Sequence, residues 1–298
     1  MKLIGKDIAE KAYQDLQKRV EKLKKKHITP HLVVFLIGES PASVAYVNQK
    51  QRKGEDIGAK VTVLRYDESV TTKELEEKVR LLNDDPFVHG LLIQRPVPDH
   101  IDIEMLENLT NPEKDIDGFH PNSPYTLPLP LAVLKILEEV CLSEVKQGVT
   151  EAKEKLGQDP VEKNFHNWLS SKNIVITGKG PTGGGPIIKY FKKLEIASTV
   201  IDSKTPNPDE LLKQADVVIA AVGRENMIKA ENLKPGVILI GVGILRGADG
   251  KLHGDYNEEE VENIASYYTP TPGGVGPVNV AMLFENVLTA AEKSSKKQ

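Results

Sequence analysis

The sequence predicts an α/β protein built from two parallel-sheet domains, and three observations carry that expectation. Short apolar runs of strand length alternate with helix-period stretches, at 33–37, 60–66 and 88–93 and again at 173–177, 198–201, 215–223 and 236–244. Strands separated by helices need crossover connections, which makes their pairing parallel. The turn-rich stretch 112–130 divides the chain, and 298 residues suffice for about two domains. The expected first domain is 1–122, completed by a C-terminal helix at 278–298. The expected second is 123–277, with an extra segment at about 141–172.

In chain order, residues 5–26 have a helical pattern ending in a lysine-rich run at 22–26. The strand 33–37 is followed by the turn Gly38-Glu39-Ser40-Pro41 and a helix from Ser43. On that helix Tyr46 and Lys50 are four residues apart and share a face, which puts an aromatic plate beside an amine at a strand's C-terminal end. A solvent-facing helix with Tyr46 packed and Lys50 hydrated satisfies the same pattern. Strand 60–66 and a helix at 72–83, with Leu75, Val79 and Leu82 inward, come next. The strand 88–93 then runs into Gln94-Arg95-Pro96-Val97-Pro98. Residues 121–130 form the passage between domains, and 131–140 a helix. The polar stretch 141–172 holds the only tryptophan, Trp168, and reads as one or two surface helices or as a partner contact.

The second domain opens with a β-branched strand, the loop Gly178-Lys179-Gly180-Pro181-Thr182-Gly183-Gly184-Gly185-Pro186 and a helix at 187–194. Strand, glycine-rich turn and helix N-terminus form a site for a pyrophosphate, because backbone N–H groups approach closely and the helix dipole favours the anion. The next strand ends at Asp202, which can accept hydrogen bonds from a ribose diol and would repel a 2′-phosphate. A turn cap is the competing role for that carboxylate. Glycines end two further strands, at Gly223 and around Gly241 and Gly243, where a flat ring can lie on main chain and where simple turn chemistry is the alternative. The loop Thr269-Pro270-Thr271-Pro272-Gly273-Gly274-Val275-Gly276-Pro277 precedes an amphipathic helix at 280–292 and a tail expected to be disordered.

A net charge of −4 argues against nucleic-acid or membrane-surface partners. The single cysteine, Cys141, excludes an internal disulfide framework and a cysteine-rich metal site, and no other ligand cluster for a metal stands out. There is no signal-peptide pattern and no apolar run near the roughly 20 residues that span a bilayer, so a reducing cytoplasm is the expected compartment.

Taken together, the chain resembles the methylenetetrahydrofolate dehydrogenase/cyclohydrolase family. The resemblance rests on Ser43-x-x-Tyr46-Val47-x-x-Lys50, Gln94-x-Pro96-x-Pro98 after Gly90, and Lys114-Asp115-Ile116-Asp117-Gly118-Phe119. It continues through the 178–186 loop, Ser203-Lys204-Thr205, the run from Ala215-Asp216 to Val222-Gly223, and Pro272-Gly273-Gly274-Val275-Gly276-Pro277. These run in family order over nearly the whole chain outside 141–172. The resemblance implies two α/β domains flanking a cleft, the second a Rossmann-like doubly wound parallel sheet. It implies oxidation of 5,10-methylenetetrahydrofolate with NAD or NADP, then hydrolysis of the methenyl cation to 10-formyltetrahydrofolate. Carried over by position, Lys50 is the catalytic amine, Gln94 hydrogen-bonds near it, Tyr46 stacks on the folate and Asp117 grips the pterin. Pro272, Gly273, Gly274 and Val275 would line the folate side. Gly178, Lys179, Gly180, Ser203 and Ile244 fall at dinucleotide contacts, and Gly184, Asp202, Thr205, Gly223 and Gly243 complete that set. A homodimer formed through the second domain is also implied.

Several positions depart from the family pattern. Gly180 stands where serine is usual, and Asp202 where the residue is often neutral or basic, which favours NAD although NADP predominates among bacterial members. Gly241 replaces an aspartate and is expected to loosen the cofactor side. Tyr125 replaces a cysteine and Asn279 a threonine. Arg95 replaces a leucine and is placed either to meet the glutamate tail of folate or to form a surface salt bridge. A single-activity relative, and a non-catalytic folate or dinucleotide sensor, remain alternatives.

Overall fold

The computed structural model describes residues 1–147 and 161–296. Two compact units emerge, one formed by Glu10–Pro128 with Val280–Gln298 and the other by Met1–Ala9 with Leu129–Asn279.

In the first unit, α1 (Gly5–Lys24) leads to β1 (His31–Ile37), α2 (Pro41–Asp56), β2 (Lys60–Tyr66), α3 (Thr72–Asp84), β3 (Gly90–Ile93) and α4 (Ile103–Leu109). The three strands form a parallel sheet in the order β2-β1-β3. β1 is central and buried at every position, which explains its unbroken apolar sequence. α2 starts at Pro41, ahead of the expected Ser43, because a proline in the first turn has no N–H to leave unsatisfied. Thr71 and Glu74 cap α3 reciprocally, and Leu75, Val79 and Leu82 are its buried face, as the periodicity requires.

Gly54, inside α2, has a packing reason. A Cβ there would lie 2.4 Å from Val61 Cγ2 and 2.7 Å from Phe284 Cζ. Glycine costs a helix interior about 1 kcal/mol relative to alanine. Burying a ring such as Phe284, which is fully covered, returns about 1.5–3 kcal/mol. The close approach wins, and it fixes where the rest of α2 lies.

The second unit contains α5 (Pro128–Gln147), α6 (Val161–Ser170), β4 (Ile174–Thr177), α7 (Gly184–Lys193), β5 (Thr199–Ile201), α8 (Pro208–Gln214), β6 (Val217–Ala220) and β7 (Ile238–Gly241). A hairpin of β8 (Ile244–Arg246) and β9 (Leu252–Gly254) follows, then α9 (Glu258–Val261) and β10 (Tyr267–Tyr268); α10 (Val275–Ser294) begins in this unit and from Val280 onward belongs to the first. Five strands make a parallel sheet in the order β10-β7-β6-β4-β5. The chain order reverses at β4, so a switch point of the doubly wound, Rossmann-like kind lies between β4 and β6. The hairpin, β10 and the short helices α4, α8 and α9 lie outside the elements the sequence predicts, since elements this short carry little periodicity.

Three sequence expectations change here. Met1–Ala9 belongs with the second unit instead of the first, because Leu3 N donates to Tyr268 O at 2.7 Å and Gly5 N to Gly273 O at 2.9 Å. α10 continues to Ser294, past the expected end at 292, so the start of the tail is ordered helix. Within 141–172, α5 extends to Gln147 and α6 covers Val161–Ser170, while 148–160 lies outside the described residues. Trp168 is buried, donates from Nε1 to Glu144 at 2.8 Å and carries the Lys172 ammonium 4.8 Å from its ring. That is a packing role for the tryptophan.

Asn286 of α10 anchors the segment that carries Asp117. Its Nδ2 donates to the carbonyls of Ile116 and Thr126, both at 2.8 Å, and the side chain is buried. Asn286→Ala leaves both acceptors unpaired, and we expect it to lower unfolding free energy by about 2–4 kcal/mol. A fall in the urea midpoint without a change in slope checks this; an unchanged midpoint refutes it.

Candidate active site

Lys50 projects from the second half of α2 and is half-buried. Its Nζ donates to Gln94 Oε1 at 2.9 Å, and Gln94 follows directly on β3. The Gln94 amide is fixed in turn, since its Nε2 donates to the Arg95 carbonyl at 2.7 Å. Burial pushes the Lys50 ammonium below its ordinary pKa, while the nearby Asp117 carboxylate pulls the other way. The Lys50 head group is thus paired with Gln94 instead of standing hydrated on an open helix face. Tyr46 lies one turn before Lys50, also half-buried, and burial raises its phenol pKa.

Asp117 lies just beyond the short turn Pro112–Lys114, in a segment bridged to β3 through Leu91 and Asp115. Burial raises the Asp117 pKa, Lys50 and Arg95 act to lower it, and Asp115 acts to raise it. Asp115 is a residue the sequence reading left without a role. It is buried and accepts from His120 N at 2.8 Å and from the backbone of Phe119 and Gly118, so it winds the loop around Asp117. Gly118 takes φ 77° in that loop, where a Cβ would meet Tyr125 O at 3.0 Å. Tyr125, the departure at the usual cysteine, donates its hydroxyl to Glu113 O at 2.9 Å and supports the same turn. Arg95 forms a salt bridge with Glu107 at 2.7 Å, which settles its own side-chain partner as a neighbouring carboxylate.

The candidate dinucleotide residues gather at the C-terminal ends of β4, β5, β6 and β7. Gly178 has φ 81°, and its N donates to Ile201 O at 2.8 Å. A Cβ on Gly184 would sit 2.0 Å from Gly178 O, whereas one on Gly180 would meet nothing within 4 Å. The turn thus needs glycine at 178 and 184, and leaves open space at 180, at the start of α7. That combination fits a pyrophosphate. Lys179 pairs with Asp202 at 2.5 Å, and Asp202 also accepts from Lys204 N at 2.8 Å and Thr205 Oγ1 at 3.2 Å. The lysine bond and these backbone and hydroxyl donors hold the Asp202 pKa at about 2. Ser203 is exposed beside it, and Ile244 is 38% exposed, an unusual surface position for an apolar side chain.

Gly223 and Gly243 are gathered by a second residue the sequence reading missed. Asp255 is fully buried and accepts from Val222 N at 3.0 Å and Arg224 N at 2.9 Å, and a Cβ on Gly243 would lie 2.1 Å from its Oδ2. A lone carboxylate after a hairpin gives no sequence signal, because its partners are backbone groups distant in the chain. Gly241 does not loosen this side. A Cβ there would sit 2.9 Å from the Tyr256 hydroxyl, so the tyrosine fills the space, and Gly241 N donates to Thr269 Oγ1 at 2.7 Å.

The fold brings Lys50, Gln94 and Asp117 together in one unit, with Tyr46 a helical turn from Lys50. Pro272, Gly273, Gly274 and Val275 belong to the other unit, with the dinucleotide residues. Gly274 is tightly held there, since its own Cβ would meet Pro270 O at 2.6 Å. Ser43, at the head of the Tyr46–Lys50 pattern, is buried with an unpartnered Oγ.

Two family models match this chain: the tetrahydrofolate dehydrogenase/cyclohydrolase catalytic domain over residues 3–117, and the NAD(P)-binding domain of the same family over 161–295. A bifunctional protein FolD of Lactococcus lactis subsp. lactis is 38% identical over 289 residues, 97% of this chain and 96% of that one. The crystal structure of the bifunctional FolD methylenetetrahydrofolate dehydrogenase/cyclohydrolase of Campylobacter jejuni superposes with a TM-score of 0.85 at 34% identity, covering 98% of this chain and 99% of that one. The Trypanosoma brucei enzyme, crystallised with NADP and an inhibitor, gives 0.83 at 26% identity over 99% and 98%. The chain therefore belongs to the tetrahydrofolate dehydrogenase/cyclohydrolase family, and it is an enzyme that oxidises 5,10-methylenetetrahydrofolate with NAD or NADP and hydrolyses the 5,10-methenyl product to 10-formyltetrahydrofolate.

Proposed function

We propose that Lys50 is the proton-handling amine of methenyl hydrolysis, that Gln94 orients it, and that Asp117 and Tyr46 hold the pterin. One observation carries this reading: the desolvated Lys50 amine is bonded to a neutral amide at 2.9 Å instead of to a carboxylate. An amine paired directly with a carboxylate would stay protonated. One that donates an N–H hydrogen bond to Gln94 Oε1 keeps its lone pair for a water molecule once it is neutral. Attack of that water on the electrophilic methenyl carbon sheds a proton to Lys50. Cleavage of the bond to N5 then leaves the formyl group on N10, with a proton returned to N5. A cationic substrate beside Lys50 disfavours the ammonium further. Asp117, as a carboxylate, accepts from the donor-rich edge of the pterin, and Tyr46 supplies stacking area with few rotatable bonds.

The unit around Glu10–Pro128 then serves folate. The other unit serves the dinucleotide, whose pyrophosphate would be held by Gly178, Lys179, Gly180 and Gly184, with Gly223, Gly243 and Ile244 flanking it. When bound, the oxidised nicotinamide accepts a hydride from the methylene carbon. Pro272–Val275 contributes to the folate side as a rigid loop. At the ribose, Asp202, Ser203 and Thr205 favour NAD: the Asp202 carboxylate suits a diol and opposes a 2′-phosphate. Lys179 tempers that preference, because its ammonium partly cancels the carboxylate's charge. Cytoplasmic localisation and a homodimer formed through the dinucleotide unit complete the reading. Among the described residues no helix is long and apolar enough to cross a membrane.

Lys50→Met is expected to reduce methenyl hydrolysis by about 10²–10⁴-fold over the uncatalysed background while leaving folate binding intact. Decay of methenyl absorbance measures it. In the unsubstituted enzyme the rate rises with pH as Lys50 loses its proton, at a midpoint below the ordinary lysine value; the variant lacks that limb. A fully active Lys50→Met enzyme would end the assignment. Asp202→Ser frees Lys179 to meet a 2′-phosphate and should raise the kcat/KM ratio of NADP to NAD by about fivefold to tenfold. An unchanged ratio removes the ribose contact. Light scattering should give twice the 32.9 kDa chain mass; a monomer rejects the homodimer.

A further inference from the structure

Gln94 and Asp117 arrive from different segments, one following β3 and the other following the 112–114 turn. Neither segment by itself fixes how the two side chains relate. Arg95 touches both. Its carbonyl accepts from Gln94 Nε2 at 2.7 Å, which turns Gln94 Oε1 toward Lys50. Its guanidinium lies 4.8 Å from the centre of the Phe119 ring, just beyond Asp117 and Gly118. The guanidinium is itself held in a fork by Glu107 of α4, with Nη2 at 2.7 and 2.8 Å from the two carboxylate oxygens and Nε at 3.0 Å from one of them. Glu107 retains only 14% of its side-chain exposure and Arg95 34%, so this is a partly desolvated, geometrically fixed pair.

We propose that Arg95, anchored by Glu107, is a positioning residue for the folate site: it clamps the Asp117–Phe119 loop against the Gln94 segment and contributes positive charge beside Asp117. The proposal rests on the roles assigned above to Lys50, Gln94 and Asp117. Arg95 itself acts through those groups, by stacking and by charge.

The charges around Asp117 give the proposal a specific signature. Lys50 faces it from α2, Arg95 from the segment after β3, Asp115 from its own turn, and Glu107 of α4 is coupled to both aspartates. Lys50 and Arg95 favour the carboxylate, whereas burial and Asp115 oppose it. Arg95→Leu removes one favourable charge and leaves the Glu107 carboxylate, which repels that of Asp117, without its partner. Asp117 then protonates at higher pH. Glu107→Gln does the reverse, leaving the guanidinium charge uncompensated, so Asp117 stays ionised to lower pH.

The experiment is the pH profile of kcat/KM for methylenetetrahydrofolate in the full-length enzyme, with Arg95→Leu, Arg95→Lys and Glu107→Gln. The acid limb is expected to move up in Arg95→Leu and down in Glu107→Gln. Arg95→Lys, which keeps the charge and loses the fork, should retain the limb near its original position while KM rises several-fold. Loss of packing alone would not move the two limbs in opposite directions. Limbs that shift together, or profiles that superimpose on the unsubstituted enzyme, overturn the proposal. So does an Arg95→Leu effect that appears only with polyglutamylated substrate, which would put the guanidinium on the glutamate tail. Should Arg95→Leu fail to fold, the direction of the Glu107→Gln shift decides alone. Parallel assays of Lys50→Met and Asp117→Asn separate the two levels. Full activity in those variants removes the underlying roles, whereas their inactivity beside an unaltered Arg95→Leu profile removes only the positioning role.

Discussion

The unit around Glu10–Pro128 is organised about a desolvated amine whose hydrogen-bond partner is an amide, with a carboxylate, Asp117, close by. Lys50 is taken out of water, which disfavours its charge, and is then given Gln94 as a partner that cannot restore it. The arrangement demands backbone accuracy more than chemistry, since the amine sits on a helix and the amide on a loop. The close approach of α2 to β2 and α10 at Gly54 sets the helix, and the parallel pairing of β3 with β1 sets the start of the loop. The Lys50–Gln94 bond forms only where both are satisfied, and the close approach at Gly54 offsets the conformational cost of a mid-helix glycine.

Around that bond the unit is organised by buried polar groups whose partners are mostly main chain. Asp115 collects N–H groups of the 118–120 loop, and Asn286 spans from α10 to the carbonyls of Ile116 and Thr126. The second unit repeats the device with Asp255, which gathers Val222 N and Arg224 N beside Gly223 and Gly243. Such groups are costly to bury unpaired, and fully paired they define one loop conformation.

In the dinucleotide unit the competition is electrostatic. At the proposed ribose contact the Asp202 carboxylate would oppose a 2′-phosphate and the Lys179 ammonium would attract one, and in the free protein the two neutralise each other. Cofactor choice at such an exposed pair is a difference between small terms. Such a pair is far less strongly held than the bond of Lys50 to Gln94, where both groups are partly desolvated.

Much of the fold was legible in the residue order, because parallel strands announce themselves as unbroken apolar runs and helices as periodic ones. The strand at Lys60–Tyr66, the inward face of α3 and the glycine turn after β4 all follow from local rules. Spacing singles out Tyr46 and Lys50 as candidates, family resemblance alone adds Gln94 and Asp117, and neither points to a role for Asp115 or Asp255. A carboxylate whose partners are backbone groups leaves no pattern in side-chain types. The sequence by itself therefore determined the longer helices and the main strands, their order and the chemical kinds of group available. Only the tertiary structure decided that Arg95 pairs with Glu107, that Lys179 occupies Asp202 and that Tyr256 fills the space beside Gly241. Each is a contact between segments that meet only when the sheets close, and its energy depends on distance and burial, which residue order does not encode.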